Sequence, residues 1–234
     1  MAATVADCEA SQTEWNQALA LAGGGSIWGD RGLQWAWQAH DGQLMLNFPR
    51  VIDATAAMRG LDFARAHNAR IVGAWLSPDT DATALEALGF ERGWEPWWMA
   101  ARLDAIAEPA DPRVALCAVV PEYGPNGQRL LSLARGERPR ASHAVARVDE
   151  RFAGRAWGLV AGEVAGIYDM EVWPQFQRRG LGRALLHTVC AAARAAGASR
   201  AVLNATPDGE RLYSAEGFAH VGRGITYWHH LGQT

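Results

Sequence analysis

Apolar and polar positions along the chain alternate in short runs, and the runs predict compact elements separated by glycine and proline. Leu33, Trp35 and Trp37 alternate with Gln34 and Gln38, which predicts a strand over 32–39. Asp41-Gly42 is a hairpin signal, and 43–48 reads as the returning strand. Met58, Leu61 and Ala64 or Arg65 recur at helical spacing inside 54–67. An apolar run at 70–76 predicts a buried strand, and 81–88 a short helix closed by Gly89. A strand broken at Pro96 follows over 94–103. Ahead of these, Ser11-Gln-Thr-Glu14 has the form of a capping box and predicts a helix through Leu21, stopped by Gly23-Gly24-Gly25.

Farther along, strands are expected at 114–119 and 142–148, with a weak helix at 127–133 between them. A longer hairpin spans 155–161 and 164–172 around Gly162-Glu163. A helix over 181–196 sets Leu181, Leu185, Ala192 and Ala196 on one side, and Arg183, His187 and Arg194 on another. A strand at 200–204, a helix at 208–216 and a last strand at 225–229 complete the chain. Ala107-Glu-Pro-Ala-Asp-Pro112 has no apolar pattern and two prolines. It divides the chain into 1–106, a linker at 107–112, and 113–234.

The two parts repeat one unit. Leu85-Glu-Ala-Leu-Gly-Phe90 and Tyr213-Ser-Ala-Glu-Gly-Phe218 share their length and ending, and each follows a helix, a strand and a Pro-Asp turn. Leu85 stands where Tyr213 stands. The stretch before the first part's helix, Asn47 to Ala54, lacks the glycines found before the second.

Composition narrows the class. With 49% hydrophobic and 20% charged residues, the 234-residue chain is expected to be soluble and globular, without a membrane span. The N-terminus has no signal-peptide pattern, so a cytoplasmic protein is expected. Three scattered cysteines and seven scattered histidines predict neither disulfides nor a metal. The net charge of −3 is the sum of −7 over 1–108 and +4 over 109–234, and every basic residue is arginine. That bias suits a small polyanion and is too weak for nucleic acid. Eight of the 11 tryptophans precede residue 100; they are expected in the core, with Trp97 and Trp98 as candidate walls of an acceptor pocket where the two parts meet.

The candidate chemistry lies at the strand-to-helix junction Gln177-Arg178-Arg179-Gly180-Leu181-Gly182. Glycines let a backbone approach a ligand, and a helix N-terminus offers free N–H groups and partial positive charge. Together with two arginines this predicts a pyrophosphate site. A dinucleotide-binding glycine fingerprint is absent, because no third glycine follows at 183–185.

The stretch Val172-Trp-Pro-Gln-Phe-Gln-Arg-Arg-Gly-Leu-Gly-Arg-Ala-Leu-Leu186, with Leu203-Asn-Ala-Thr206, Leu212-Tyr213 and Gly217-Phe218, resembles the GNAT family of acetyl-CoA-dependent N-acetyltransferases. The resemblance covers roughly 113–230, and the first part looks like a degenerate copy of the same fold. It implies an α/β (α+β) protein of two GNAT-like domains, each a mixed, mostly antiparallel sheet flanked by helices, with splayed central strands in the second. It implies acetyl-CoA as cofactor, held by Met170 and Val172 along the pantetheine arm and by Gln177, Arg178, Arg179, Gly180, Leu181, Gly182 and Arg183 at the phosphates. The family's asparagine position falls on Thr206, leaving Asn204 as the candidate for that contact. Tyr213 would protonate the departing thiolate. Glu171, beside the acetyl-binding strand and with Asp169 near it, is the candidate base for a primary amine acceptor, a small molecule or peptide. The alternative function is a non-catalytic acyl-CoA-binding or sensing module. No nucleic acid or membrane partner is implied, and the chain is expected as a monomer or homodimer.

Overall fold

The computed structural model describes residues 3–136 and 139–232. The chain forms two compact units, one of Gln12–Pro96 and Arg223–Thr234, the other of Met1–Ser11 and Trp97–Gly222. The first helix, α1 (Val5–Ala22), starts earlier than the capping box at Ser11 predicts. Thr4 and Asp7 form the box instead: the Asp7 carboxylate accepts from Thr4 N at 2.7 Å, and Thr4 Oγ1 accepts from Asp7 N at 3.3 Å.

The smaller unit carries β1 (Ser26–Asp30), β2 (Leu33–Gln38), β3 (Gln43–Asn47), α2 (Ala54–Ala66), β4 (Ile71–Leu76), α3 (Thr83–Ala87) and β5 (Glu91–Arg92). Its six-stranded sheet has the order β1-β2-β3-β4-β13-β5, where β13 is Ile225–His230 from the chain's end. Strand β1 was not expected; Ile27 and Trp28 are its only large apolar residues, too few for a period to show. Leu44, Leu46, Leu61, Val72 and Trp35 form the core. Helix α2 lies close on the sheet because residue 60 is glycine: a Cβ there would stand 2.4 Å from Trp35.

The larger unit carries β6 (Trp97–Arg102), β7 (Val114–Leu116), α4 (Pro125–Leu130), β8 (Ala141–Val148), β9 (Arg151–Ala161), β10 (Val164–Val172), α5 (Leu181–Ala195), β11 (Arg200–Ala205), α6 (Pro207–Ala215) and β12 (Ala219–Arg223). Its seven-stranded sheet has the order β12-β6-β11-β10-β9-β8-β7. Strand β10 is antiparallel to β9 and parallel to β11. Helix α5 buries Leu181, Leu185, Leu186, Val189 and Cys190 against Ala156, Ala165 and Ile167 of the sheet. The architecture is mixed α/β, as expected.

The division at 107–112 is corrected. That segment is irregular and mostly exposed, but it lies inside the larger unit. Strand β6 pairs with β11 from Arg102↔Arg200 to Trp97↔Ala205, and β13 pairs with β4 from Ile225↔Leu76 to His230↔Ile71. Each half of the chain thus gives a strand to the other half's sheet. A one-dimensional pattern predicts that a strand exists; its partner is settled by long-range hydrogen bonding and packing.

Candidate functional site

The site grows from an interruption in the larger unit's sheet. Strands β10 and β11 pair only at Val164↔Arg200, Ala165↔Ala201 and Gly166↔Val202. Beyond Gly166↔Val202, β10 has no further registered pair with β11 among the described residues. On its other side, the β10–β9 register shifts between Tyr168 and Glu171, and Asp169 takes a left-handed conformation with φ 47°. That is a β-bulge, which turns a strand locally. The central strands therefore part beyond Gly166.

The strand ends at the anion loop. Gly180 is the N-cap of α5 with φ 81°, and no side chain caps the helix. The backbone N–H groups of Gly180, Leu181, Gly182 and Arg183 find no acceptor among the described residues. A Cβ at Gly180 would meet nothing within 4 Å, so the space above the helix end is open. Gly182 has another role. A Cβ there would stand 3.2 Å from Leu212 Cδ2, so its smallness lets α6 lie against the first turn of α5.

The arginines divide as well. Arg178, at φ 61°, is exposed and has no ion-pair partner among the described residues. Arg179 donates to Gln175 O at 3.2 Å, lies 5.7 Å from the Phe176 ring, and has its own carbonyl bonded by Arg113 at 2.9 Å. Arg183, expected at the phosphates, sits in the first turn but bonds Glu216 through Nε at 2.5 Å. Gln177 donates from Nε2 to Val172 O at 3.0 Å, tying the loop to the strand end. Met170 and Val172 pack toward the α5 core.

Tyr213 lies at the end of the second turn of α6, whose N-cap Thr206 accepts from Gly209 N. It is 8% exposed, its ring is 6.0 Å from Phe218, and its hydroxyl has no hydrogen bond among the described residues. Burial pushes its pKa up to about 12. Asn204 is half-buried on β11 and faces Trp98 of β6 in register.

Glu171 is exposed on β10, and its carboxylate stands 4.0 Å from Arg155, which also holds Asp169 at 3.0 Å. Arg155 in turn lies 6.0 Å from the Tyr123 ring and 5.7 Å from the Trp173 ring. Behind it, Tyr123 Oη and His143 Nε2 are 3.0 Å apart, and His143 Nδ1 is 3.1 Å from Cys117 O. With Nδ1 donating to that carbonyl, Nε2 accepts from the tyrosine. Burial lowers the His143 pKa to about 4, so the imidazole is neutral. The sequence reading missed Arg155 and Glu216, whose partners lie on other elements. Among the described residues no cluster of His, Cys, Asp and Glu could hold a metal, and no helix is long and apolar enough to cross a membrane.

The smaller unit lacks each of these openings. Its parallel pair, β3 and β4, is registered over all five residues from Gln43↔Ile71 to Asn47↔Trp75, and Phe48 N adds a bond to Trp75 O at 2.8 Å. The N-cap of α2 is Asp53, whose carboxylate accepts from Ala56 N at 2.8 Å.

The model of the acetyltransferase (GNAT) family matches residues 109–218, which span the splayed strands, the uncapped helix and Tyr213. Residues 109–218 are thus similar to a GNAT-family acetyltransferase domain. A GCN5-related N-acetyltransferase from Kribbella flavida is similar to the whole chain, with TM-score 0.64, 17% identity, and coverage of 97% of this chain and 95% of that one. A tandem GNAT protein from the clavulanic acid biosynthesis pathway aligns over 100% of this chain and 98% of its own, at TM-score 0.57 and 14% identity. A GCN5-related N-acetyltransferase from Sphaerobacter thermophilus gives 0.54 and 18%, covering 86% and 78%. At these identities the likeness establishes the fold: sheets of six and seven strands correspond to two GNAT-like halves. No curated protein matches the chain.

Proposed function

We propose that the chain is an acetyl-CoA-dependent N-acetyltransferase that passes the acetyl group directly to a primary amine, with its chemistry in the larger unit. One observation carries the reading: the uncapped N-terminus of α5 stands at the end of β10, whose registered pairing with β11 stops at Gly166. The residues fit the cofactor. Four free N–H groups, open space above Gly180 and the unpaired Arg178 suit a pyrophosphate. The gap where β10 and β11 part beyond Gly166 suits an extended pantetheine arm.

Bound acetyl-CoA supplies a thioester open to attack by a neutral amine. The backbone near Met170 would orient the acetyl group, and Glu171 would take the proton that the amine sheds as the C–N bond forms. Tyr213 Oη would give its proton to the sulfur as the C–S bond breaks. A tyrosine at about 12 keeps that proton at neutral pH, and the burial that raises it also raises the proton affinity of a thiolate placed beside it.

The smaller unit is read as a silent copy of the same domain. Its helix α3 ends as α6 does: Phe90 N bonds Leu85 O, and Phe218 N bonds Tyr213 O, both at 3.0 Å around left-handed Gly89 and Gly217. The buried Leu85 occupies the tyrosine's place. The test is thiol release from acetyl-CoA over a panel of small amines and peptide N-termini. Amine-dependent release is expected; saturable CoA binding with no release from any amine would favour a binding or sensing module.

A further inference from the structure

Glu216 belongs to no part of the reaction described so far, yet it is one of the most tightly engaged carboxylates in the larger unit. It is the C-cap of α6, three residues after Tyr213. One oxygen takes Arg183 Nε at 2.5 Å and the other His187 Nε2 at 2.5 Å. Its side chain is 10% exposed and that of His187 11%. Arg183 and His187 are one turn apart on α5, so a single carboxylate bridges the first two turns of the helix whose N-terminus forms the anion site. On the same side, Leu212 fills the space that Gly182 leaves.

We propose that Glu216 is a positioning residue for Tyr213, acting by clamping the C-terminal end of α6 to the anion-binding end of α5. The inference rests on the acetyl-transfer reading above. Helix α6 has only nine residues, and an isolated helix of that length is marginal in water. Its orientation is therefore set by what it touches. The Tyr213 hydroxyl has no hydrogen bond among the described residues, so packing and the clamp one turn away fix where it points. The clamp also ties two functions together: the helix end that holds phosphate and the tyrosine that gives the proton are joined through one carboxylate.

The experiment is a double-mutant cycle of Glu216→Gln and Tyr213→Phe, read as kcat, CoA affinity and melting temperature. Glu216→Gln is expected to lower kcat about tenfold while CoA affinity stays within about threefold, and in the Tyr213→Phe background the same change should cost no more than about twofold. His187→Gln, which opens the clamp from the α5 side, should show the same dependence on Tyr213 and serves if Glu216→Gln does not fold. Losses that multiply in the double variant, or CoA affinity falling in step with kcat, would overturn the proposal. A wild-type chain that releases no thiol with any amine would instead overturn the acetyl-transfer reading on which it rests.

Discussion

Gly180 and Asp53 hold the same place in their units, the N-cap of the helix that follows the first strand of the parallel pair, and they act in opposite ways. Asp53 puts a carboxylate on the N–H groups of α2, while Gly180 leaves those of α5 bare. A helix N-terminus neutralised by its own cap has nothing left for an external anion; a bare one does.

Gly180→Asp, compared with Gly180→Asn, isolates that charge. Both side chains tolerate the left-handed conformation better than most and both can cap the helix. The aspartate variant should bind CoA about five- to tenfold more weakly than the asparagine variant, with the gap shrinking at high salt. Calorimetric titration at two ionic strengths checks it.

Asp53→Ala removes the cap of α2. The melting temperature should fall by a few degrees while CoA affinity is unchanged. The same pair of measurements on one sample separates a structural cap from a binding site.

Tyr213→Phe should lower kcat by about ten- to a hundredfold and leave CoA affinity nearly intact. The pH dependence has a definite sign. The folded pKa of about 12 lies above the ordinary value of 10.0, so the stability tied to the protonated phenol is whole below pH 10 and is lost as pH rises toward 12. Part of the alkaline loss of stability in that window should therefore disappear in the phenylalanine variant, as read by denaturant unfolding across pH.

His143 gives the opposite limb. Its folded pKa, about 4, lies below the ordinary 6.5 because the ring is buried. Its contribution is complete above pH 6.5 and is lost as pH falls toward 4, amounting to roughly 3 kcal/mol. His143→Gln can still donate to Cys117 O and accept from Tyr123, so its unfolding free energy should depend less on pH over that range.

What could be read from the residues was local. The glycine-arginine loop, the strand before it and the tyrosine-bearing helix each lie within a short window, and each stands where expected. The matching Gly-Phe endings of 85–90 and 213–218 were legible too, and both helices end there by the same hydrogen bond. Partner choice was not legible. Nothing within 97–102 or 225–230 says which sheet either strand joins. Ser11 and Thr4 both begin capping-box patterns; the helix starts at the earlier one, and Ser11 becomes a buried residue whose hydroxyl lies 2.6 Å from Tyr168 Oη. Arg183 looked like a phosphate ligand because its charge was visible and Glu216, 33 positions later, was not connected to it.

On the proposed function one anion site, at the N-terminus of α5, serves acetyl-CoA, while the N-terminus of α2 is closed by Asp53. Isothermal titration of CoA into the chain tests it most directly. A single site per chain is predicted, weakened about fivefold or more by Gly180→Asp and unaffected by Asp53→Ala. Two sites per chain, or one site indifferent to Gly180→Asp, would contradict that assignment.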